Sequence, residues 1–215
     1  MKNYIDLKDE TNYEKLSKPA QIIRSGGIVI FPTETVYGIG TNGLDEKAVK
    51  RLYEVKNRPF NKPISLLVAN IDMINQVAKE ITDIEDKLIK AFFPGPFTII
   101  LKKKDIVPNI LTANGSTVGI RMPESKIAKK LVEYAKVPIA APSANISGKQ
   151  SGTNLEQIIE DFKEKVDFFI DGGNSKIGIG STIVKVIDGM PKILRQGSIT
   201  KEQIEKVVGF TLNVD

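Results

Sequence analysis

Cations, hydroxyls and amides carry most of the usable chemistry in this sequence. Lys56, Arg58 and Lys62 fall together in Lys56-Asn-Arg58-Pro-Phe-Asn-Lys62. Apolar residues at helical spacing end just before them, so compensation of a helix dipole accounts for Lys56, at about 0.3–1 kcal/mol per charge. It does not account for the continuation past Pro59, and three cations this close can clamp a triphosphate. Ala141-Pro-Ser143-Ala-Asn145-Ile-Ser147-Gly148 sets small donors between a strand end and a helix. That segment reads either as a turn with an N-cap or as a loop whose Gly148 admits a ligand close to the backbone. Pro32-Thr-Glu-Thr35-Val-Tyr-Gly38 is a polar stretch straight after an apolar run, where ligand-contacting loops tend to lie. Gly178-Ile-Gly-Ser181-Thr182 is similar, and without G-x-x-x-x-G-K it is no P-loop. Leu194-Arg195-Gln-Gly197 reads as a surface turn. Gly38-Ile-Gly40-Thr-Asn-Gly43 matches G-x-G-x-x-G, but Pro32 to Tyr37 separate it from the preceding strand. A dinucleotide site needs its first glycine at the strand end, so this string does not predict one.

What the chain lacks narrows the chemistry further. It has no Cys and no His, so disulfides, thiolate or imidazole metal sites, a cysteine nucleophile and a catalytic triad are excluded. The remaining set suits positioning and electrostatic stabilisation of charged substrates better than covalent catalysis. With 31 basic and 26 acidic residues the net charge is +5, which favours an anionic ligand without choosing between nucleotide and RNA. No apolar run is long enough to span a membrane, and Met1 to Asp9 lacks the apolar core of a signal peptide. The expectation is a cytoplasmic protein with no membrane contact.

The elements that must position these residues follow from periodicity. Helical spacing covers Tyr13 to Ile23, Leu44 to Val55, two stretches within 71–92 broken near Thr82-Asp83, Ile127 to Ala135, Leu155 to Phe162 and about 200–208. Apolar runs at Ile28–Phe31, Ile64–Ala69, Phe97–Leu101, Pro138–Ala141, Val166–Ile170 and Thr182–Ile187 read as strands. From Ser116 to Met122, apolar Val118, Ile120 and Met122 alternate with Thr117, Gly119 and Arg121, which places Thr117 and Arg121 on one strand face. Strands and helices alternate irregularly along the whole chain. The fold class is therefore α/β, with a twisted mixed sheet and flanking helices. At 215 residues a single domain, 1–215, is expected, and Lys102-Lys103-Lys104 reads as a solvated strand end.

Taken together, the chain resembles the YrdC-like family of threonylcarbamoyl-AMP synthases. The resemblance rests on Pro32-Thr-Glu-Thr-Val-Tyr-Gly38, Lys56-x-Arg58-Pro59, Pro94-Gly-Pro-x-Thr98, Gly119-x-Arg-x-Pro123, Ser143-x-Asn145-x-Ser-Gly148, Ser181-Thr182 and Leu194-Arg-x-Gly197, in that order. Each string alone is weak, and seven in order over residues 26–197 are specific. The resemblance implies a large basic cavity on the mixed sheet. It also implies a reaction in which L-threonine, bicarbonate and ATP give threonylcarbamoyl-AMP and pyrophosphate, for N6-threonylcarbamoyladenosine in tRNA. Mg²⁺ would come with ATP, held mainly by phosphate and water. Partners would be the threonylcarbamoyl-transferase proteins of that pathway, with direct contact to tRNA or double-stranded RNA left open.

Position by position, the resemblance puts Lys56, Arg58, Lys62, Ser143, Asn145 and Arg195 on ATP, with Thr117 and Ser151 as lesser contacts. Lys56 and Arg58 would be the catalytic cations. Thr35, Arg121 and Ser181 would hold threonine, with Arg121 on its carboxylate and the Ala141 backbone assisting. Leu67 stands where some relatives carry a His that touches the amino acid. A longer branch adds a C-terminal domain, and the expectation here is the single-domain form. Two rivals differ in class. An RNA-binding module without catalysis suits the charge, but no aromatic–basic interleaving appears. A carbamoyl-adenylating domain of hydrogenase maturation would bring Cys-rich zinc fingers, which a chain without Cys cannot form.

Overall fold

The computed structural model describes residues 3–8 and 13–212. Strict alternation along the strands decides its layering. Val29 and Phe31 of strand β2 (Val29–Phe31) point into one apolar cluster and Ile30 into another, as a period of two requires. The strands are β1 (Tyr4–Asp6), β2, β3 (Gly38–Asn42), β4 (Leu66–Leu67), β5 (Phe97–Lys102), β6 (Thr117–Arg121), β7 (Ile139–Ala140), β8 (Phe168–Asp171), β9 (Thr182–Ile187) and β10 (Met190–Arg195). They form one sheet in the order β1-β8-β2-β3-β7-β4-β6-β5-β9-β10. The β1/β8, β2/β8, β4/β6 and β5/β9 pairs are parallel and the others antiparallel, so the sheet is mixed.

The helices are α1 (Ser17–Arg24), α2 (Glu46–Val55), α3 (Ile71–Val77), α4 (Asp83–Phe92), α5 (Lys126–Ala135), α6 (Ile159–Phe162) and α7 (Lys201–Val208). Capping explains where several begin. Asp45 accepts from Lys47 and Ala48 N–H at the start of α2. Thr82 with Glu85, and Thr200 with Gln203, form reciprocal capping boxes before α4 and α7. The break expected near Thr82-Asp83 is this cap.

One sheet face is covered by α2, α3, α4 and α7 through Leu52, Ile74, Leu88 and Ile204. The opposite face is covered by α1 and α5 through Ile23, Leu131 and Val132, but only from β8 through β4 in the strand order. Beyond β4, the sequence puts Val118, Ile120, Phe97, Ile99 and Val184 on the first, covered face. Thr98, Arg121 and Ile183 are left on the face that α1 and α5 do not reach. The site lies there.

Periodicity missed three strands. β1 is only three residues long, β3 carries two glycines in five residues, and β10 alternates only weakly. The Gly38-Ile-Gly40 string is thus a strand and not a turn. A Cβ on Gly40 would lie 2.6 Å from Ile139 Cγ2, so its glycine serves close strand packing. Leu155 and Ile158 are buried in turns, and only Ile159–Phe162 is helical. Leu194-Arg195 ends a strand where a surface turn was expected. The lysine run does end β5. Lys102 pairs with Glu80, while Lys103 and Lys104 donate to the Val107 and Asn75 carbonyls. Among the described residues no helix is long and apolar enough to cross a membrane.

Candidate active site

β6 ends where its parallel neighbour β4 ends and where β5 and β9 begin, which opens a crevice at the strand termini. The loops after β2 and β7 close its sides. The resulting cavity of about 280 Å³ is lined by Thr35, Arg58, Leu67, Thr98, Arg121, Ala141, Ser143, Ser151, Ser181 and Arg195, among others. Among the described residues its charged lining is cationic, from Arg58, Arg121 and Arg195, and its remaining polar groups are mostly hydroxyls.

Each arginine is braced by the backbone. Arg58 lies just past α2, and its Nε and Nη2 donate to the Lys62 and Pro63 carbonyls at 2.9 and 2.8 Å. Arg195 ends β10 and donates from Nε and Nη2 to the Ser181 carbonyl at 3.0 and 2.7 Å, with Nη2 3.1 Å from Ser181 Oγ. Arg121, 8% exposed, donates to the Gly95 carbonyl, to Thr35 Oγ1 at 2.9 Å and to Glu34 Oε1 at 2.7 Å. Burial lowers the Arg195 pKa from its ordinary value, and the charges of Arg121 and Arg58 lower it further. The cavity therefore concentrates like charge, and a bound anion relieves that repulsion.

The hydroxyls are organised as tightly. Thr33 Oγ1 lies 2.8 Å from Thr35 Oγ1 and donates to the Val36 carbonyl, which fixes the loop after β2. Ser181 Oγ lies 2.7 Å from Thr98 Oγ1. Gly197 packs so closely on the Gly180–Thr182 backbone that a Cβ there would lie 2.4 Å from Gly180 O and Thr182 N. That contact holds the end of β10, with Arg195, against Ser181.

The structure brings Thr35, Arg58, Arg121, Ala141, Ser143, Ser151, Ser181 and Arg195 around one cavity. It does not bring four other expected residues to its wall. Thr117 shares a face with Arg121, but four residues of extended chain, about 13 Å, separate them, and Thr117 pairs with Lys102 at the far end of β6. The Lys62 side chain is exposed, and its carbonyl instead holds Arg58 and the Tyr53 hydroxyl. Asn145 turns its amide back to the Ile146 and Lys149 carbonyls and its Oδ1 to the Ser143 hydroxyl.

Lys56 departs most from expectation. It is 1% exposed, and its Nζ donates to the Ser143 and Asn145 carbonyls, each at 2.5 Å. Burial, and next the Arg58 charge, push its pKa down to about 7. It neither offsets the α2 dipole at the surface nor faces the cavity. It fastens the Ser143–Asn145 loop to the end of α2.

Sequence reasoning passed over Glu34, Thr98 and Gly197 as site residues, although each sits inside a string already singled out. Among the described residues no group of three His, Cys, Asp or Glu could hold a metal ion. Glu34, next to the cavity-lining Thr35, is paired with Arg121.

The family model described as Telomere recombination (Sua5_yciO_yrdC) matches residues 21–197. The chain belongs to the Sua5/YciO/YrdC family. It is 45% identical over 205 residues to a threonylcarbamoyl-AMP synthase of Pyrococcus abyssi, covering 95% of this chain and 60% of that protein. It is 41% identical over 209 residues to the Bacillus subtilis enzyme of the same name, covering 96% and 60%. The crystal structure of P. abyssi Sua5 complexed with L-threonine superposes with a TM-score of 0.94 at 44% identity, covering 97% of this chain and 62% of that one. The chain thus spans about three fifths of the length of these relatives.

Proposed function

We propose that this chain makes threonylcarbamoyl-AMP from L-threonine, bicarbonate and ATP, a nucleotidyl transfer. The observation that carries the reading is a cavity whose charged walls, among the described residues, are three braced arginines, in a family whose named members are such synthases. The threonine ammonium and bicarbonate give the N-carboxylate with loss of one water and one proton. A carbamate oxygen then attacks the α-phosphorus, the bond to the β-phosphate oxygen breaks, and pyrophosphate leaves. The nucleophile is the substrate, so no protein nucleophile is required. The chain's part is to position reactants and offset charge on the transferring oxygens.

In this reading Arg121, with Thr35, Ser181 and the Ala141 backbone, takes the amino acid. Arg58, Arg195 and Ser143 take the phosphates, with Ser151 at the rim. Lys56 acts indirectly, by holding the Ser143 loop. Mg²⁺ enters as the substrate's MgATP complex. The product passes to threonylcarbamoyl-transferase proteins that modify tRNA.

The test is incubation of purified protein with ATP, bicarbonate and single amino acids, with pyrophosphate release measured and the adenylate identified by mass. Release is expected to need threonine and bicarbonate together. Equal release from ATP alone overturns the synthase reading. Salt-dependent RNA binding without adenylate formation supports the RNA-module alternative instead.

A further inference from the structure

Arg121 is the most tightly held cation in the cavity, and one of its three partners is a carboxylate. Glu34 follows β2 in the loop that also supplies Thr35. Its side chain is 9% exposed and that of Arg121 is 10% exposed, with 2.7 Å between Oε1 and Nη2. Its second oxygen, Oε2, accepts the Ser125 N–H at 3.3 Å, and Ser125 caps α5. Its backbone carbonyl accepts from Ile177 N–H in the segment before β9, beside the bond from Gly178 N–H to the Thr35 carbonyl. Both carboxylate oxygens and the carbonyl of Glu34 thus have protein donors, which fixes the side chain between Arg121 and the start of α5.

A guanidinium has five N–H donors in a rigid plane. Gly95, Thr35 and Glu34 take one each, on Nε, Nη1 and Nη2. One N–H remains on each of Nη1 and Nη2, in a plane that the three partners define. Glu34 also offsets part of the charge of Arg121, in a cavity where Arg58 and Arg195 have no carboxylate partner among the described lining residues. The loop thereby distinguishes one ion-paired, oriented guanidinium from two that have only backbone and hydroxyl partners.

We propose that Glu34 is a positioning residue: its carboxylate fixes the Arg121 plane so that the two uncommitted N–H groups receive the carboxylate of the amino-acid substrate. This rests on the reading of the cavity as an amino-acid and nucleotide site. It predicts effects of opposite sign on the two substrates. Loss of the negative charge frees Arg121 to swing and weakens the amino acid. The same loss makes the cavity more positive and leaves nucleotide binding equal or tighter. A purely structural role would weaken both.

Glu34→Gln keeps the volume and an acceptor, and so tests the charge without opening a hole. Threonine affinity, measured by calorimetry, is expected to fall about ten-fold or more, the scale of one charged hydrogen bond. ATP affinity should be unchanged or tighter, and the threonine KM should rise with little change in kcat. Glu34→Asp keeps the charge but is one methylene short, so it should also lose threonine. A readout independent of substrate is the Arg121 side-chain N–H resonance in ¹⁵N spectra. It should be sharp and slowly exchanging in the parent chain and broadened in Glu34→Gln. A resonance equally sharp in both, or ATP and threonine weakened alike, overturns the proposal. If the parent chain binds no threonine, the functional reading fails on its own. The amino-acid half of the proposal then falls with it, and the resonance still decides whether Glu34 holds Arg121.

Discussion

The Lys56 ammonium lies 2.5 Å from the Ser143 carbonyl oxygen, with no carboxylate among its hydrogen-bond partners. The return bond, from Ser147 N–H to the Lys56 carbonyl, ties the same loop a second time. Helix α2 therefore ends in a fastener for the loop that closes one side of the cavity. A neutral amine still has two N–H groups for the two carbonyls, so the fastener survives deprotonation.

This makes stability depend on pH in a definite direction. The folded Lys56 pKa is pushed down to about 7 from 10.5, chiefly by burial. Between those values the unfolded chain binds the proton and the folded chain does not, so this residue's contribution to stability rises with pH across that window. Lys56→Met strands two carbonyls, at about 1–3 kcal/mol each. The variant should be clearly less stable than the parent at pH 9, with the gap narrowing by pH 6. Urea unfolding of both proteins at the two pH values checks this. An equal gap at both would show that Lys56 does not titrate near neutrality.

Arg121→Lys tests the carboxylate assignment. Lysine supplies a point charge and cannot reach the Gly95 carbonyl, Thr35 and Glu34 at once. The threonine KM should rise about ten-fold or more, as for loss of a charged hydrogen bond, and much more than the KM for ATP. Steady-state kinetics with each substrate varied in turn decides it, and a larger effect on ATP would reverse the assignment of this strand face.

Legibility of the sequence followed the strength of its periods. The Val118/Ile120/Met122 alternation placed Arg121 on the face opposite those residues, because their side chains lie in the core and the pattern is strict. The same alternation was misleading for Thr117, since a shared face says nothing about position along the strand. β3 and β10 were illegible because Gly-rich and weakly alternating strands owe their place to neighbours, as Gly40 does to Ile139. The charge of Lys56 was read as solvent-facing or phosphate-facing, since a local pattern cannot show that two carbonyls from residues 143 and 145 arrive at its Nζ. Family strings contain half of the cavity wall, whereas roles within a string, such as that of Glu34, needed the three-dimensional contacts.

The two cations after α2 and the one that ends β10 should separate functionally. Arg58 and Arg195 face the cavity, while the Lys62 side chain is exposed and away from its wall. Arg58→Ala and Arg195→Ala should each weaken ATP by about 1.5–3 kcal/mol, the range for a charged hydrogen bond. Lys62→Ala should change it by less than about 1 kcal/mol, as for exposed charges. Calorimetric titration of ATP into the three variants checks the order, and an effect of Lys62 equal to that of Arg58 would place its side chain on the phosphates.

Gly197 offers a test of how β10 is held over the site. A Cβ there meets Gly180 O and Thr182 N at 2.4 Å, and both are backbone atoms that cannot rotate away. Thr182 Oγ1 adds three bonds at the same corner, accepting from Gly197 and Ile199 N–H and donating to the Ile199 carbonyl. Gly197→Ala must therefore push the 195–199 segment off the Gly180–Thr182 backbone, carrying Arg195 with it. Overpacking of this kind costs about 1–3 kcal/mol, and a lower melting temperature is expected. Thr182→Val keeps the shape but loses the hydroxyl, leaving two N–H groups and a carbonyl without their partner at about 1–3 kcal/mol each if they stay buried. Both variants should weaken ATP, because the Arg195–Ser181 contact depends on this corner. Threonine should be affected less, since Arg121 is braced independently by Gly95, Thr35 and Glu34. Binding of each substrate to each variant, measured well below its melting temperature, separates the two effects. Equal losses for ATP and threonine would mean that the corner supports the whole cavity and not Arg195 in particular.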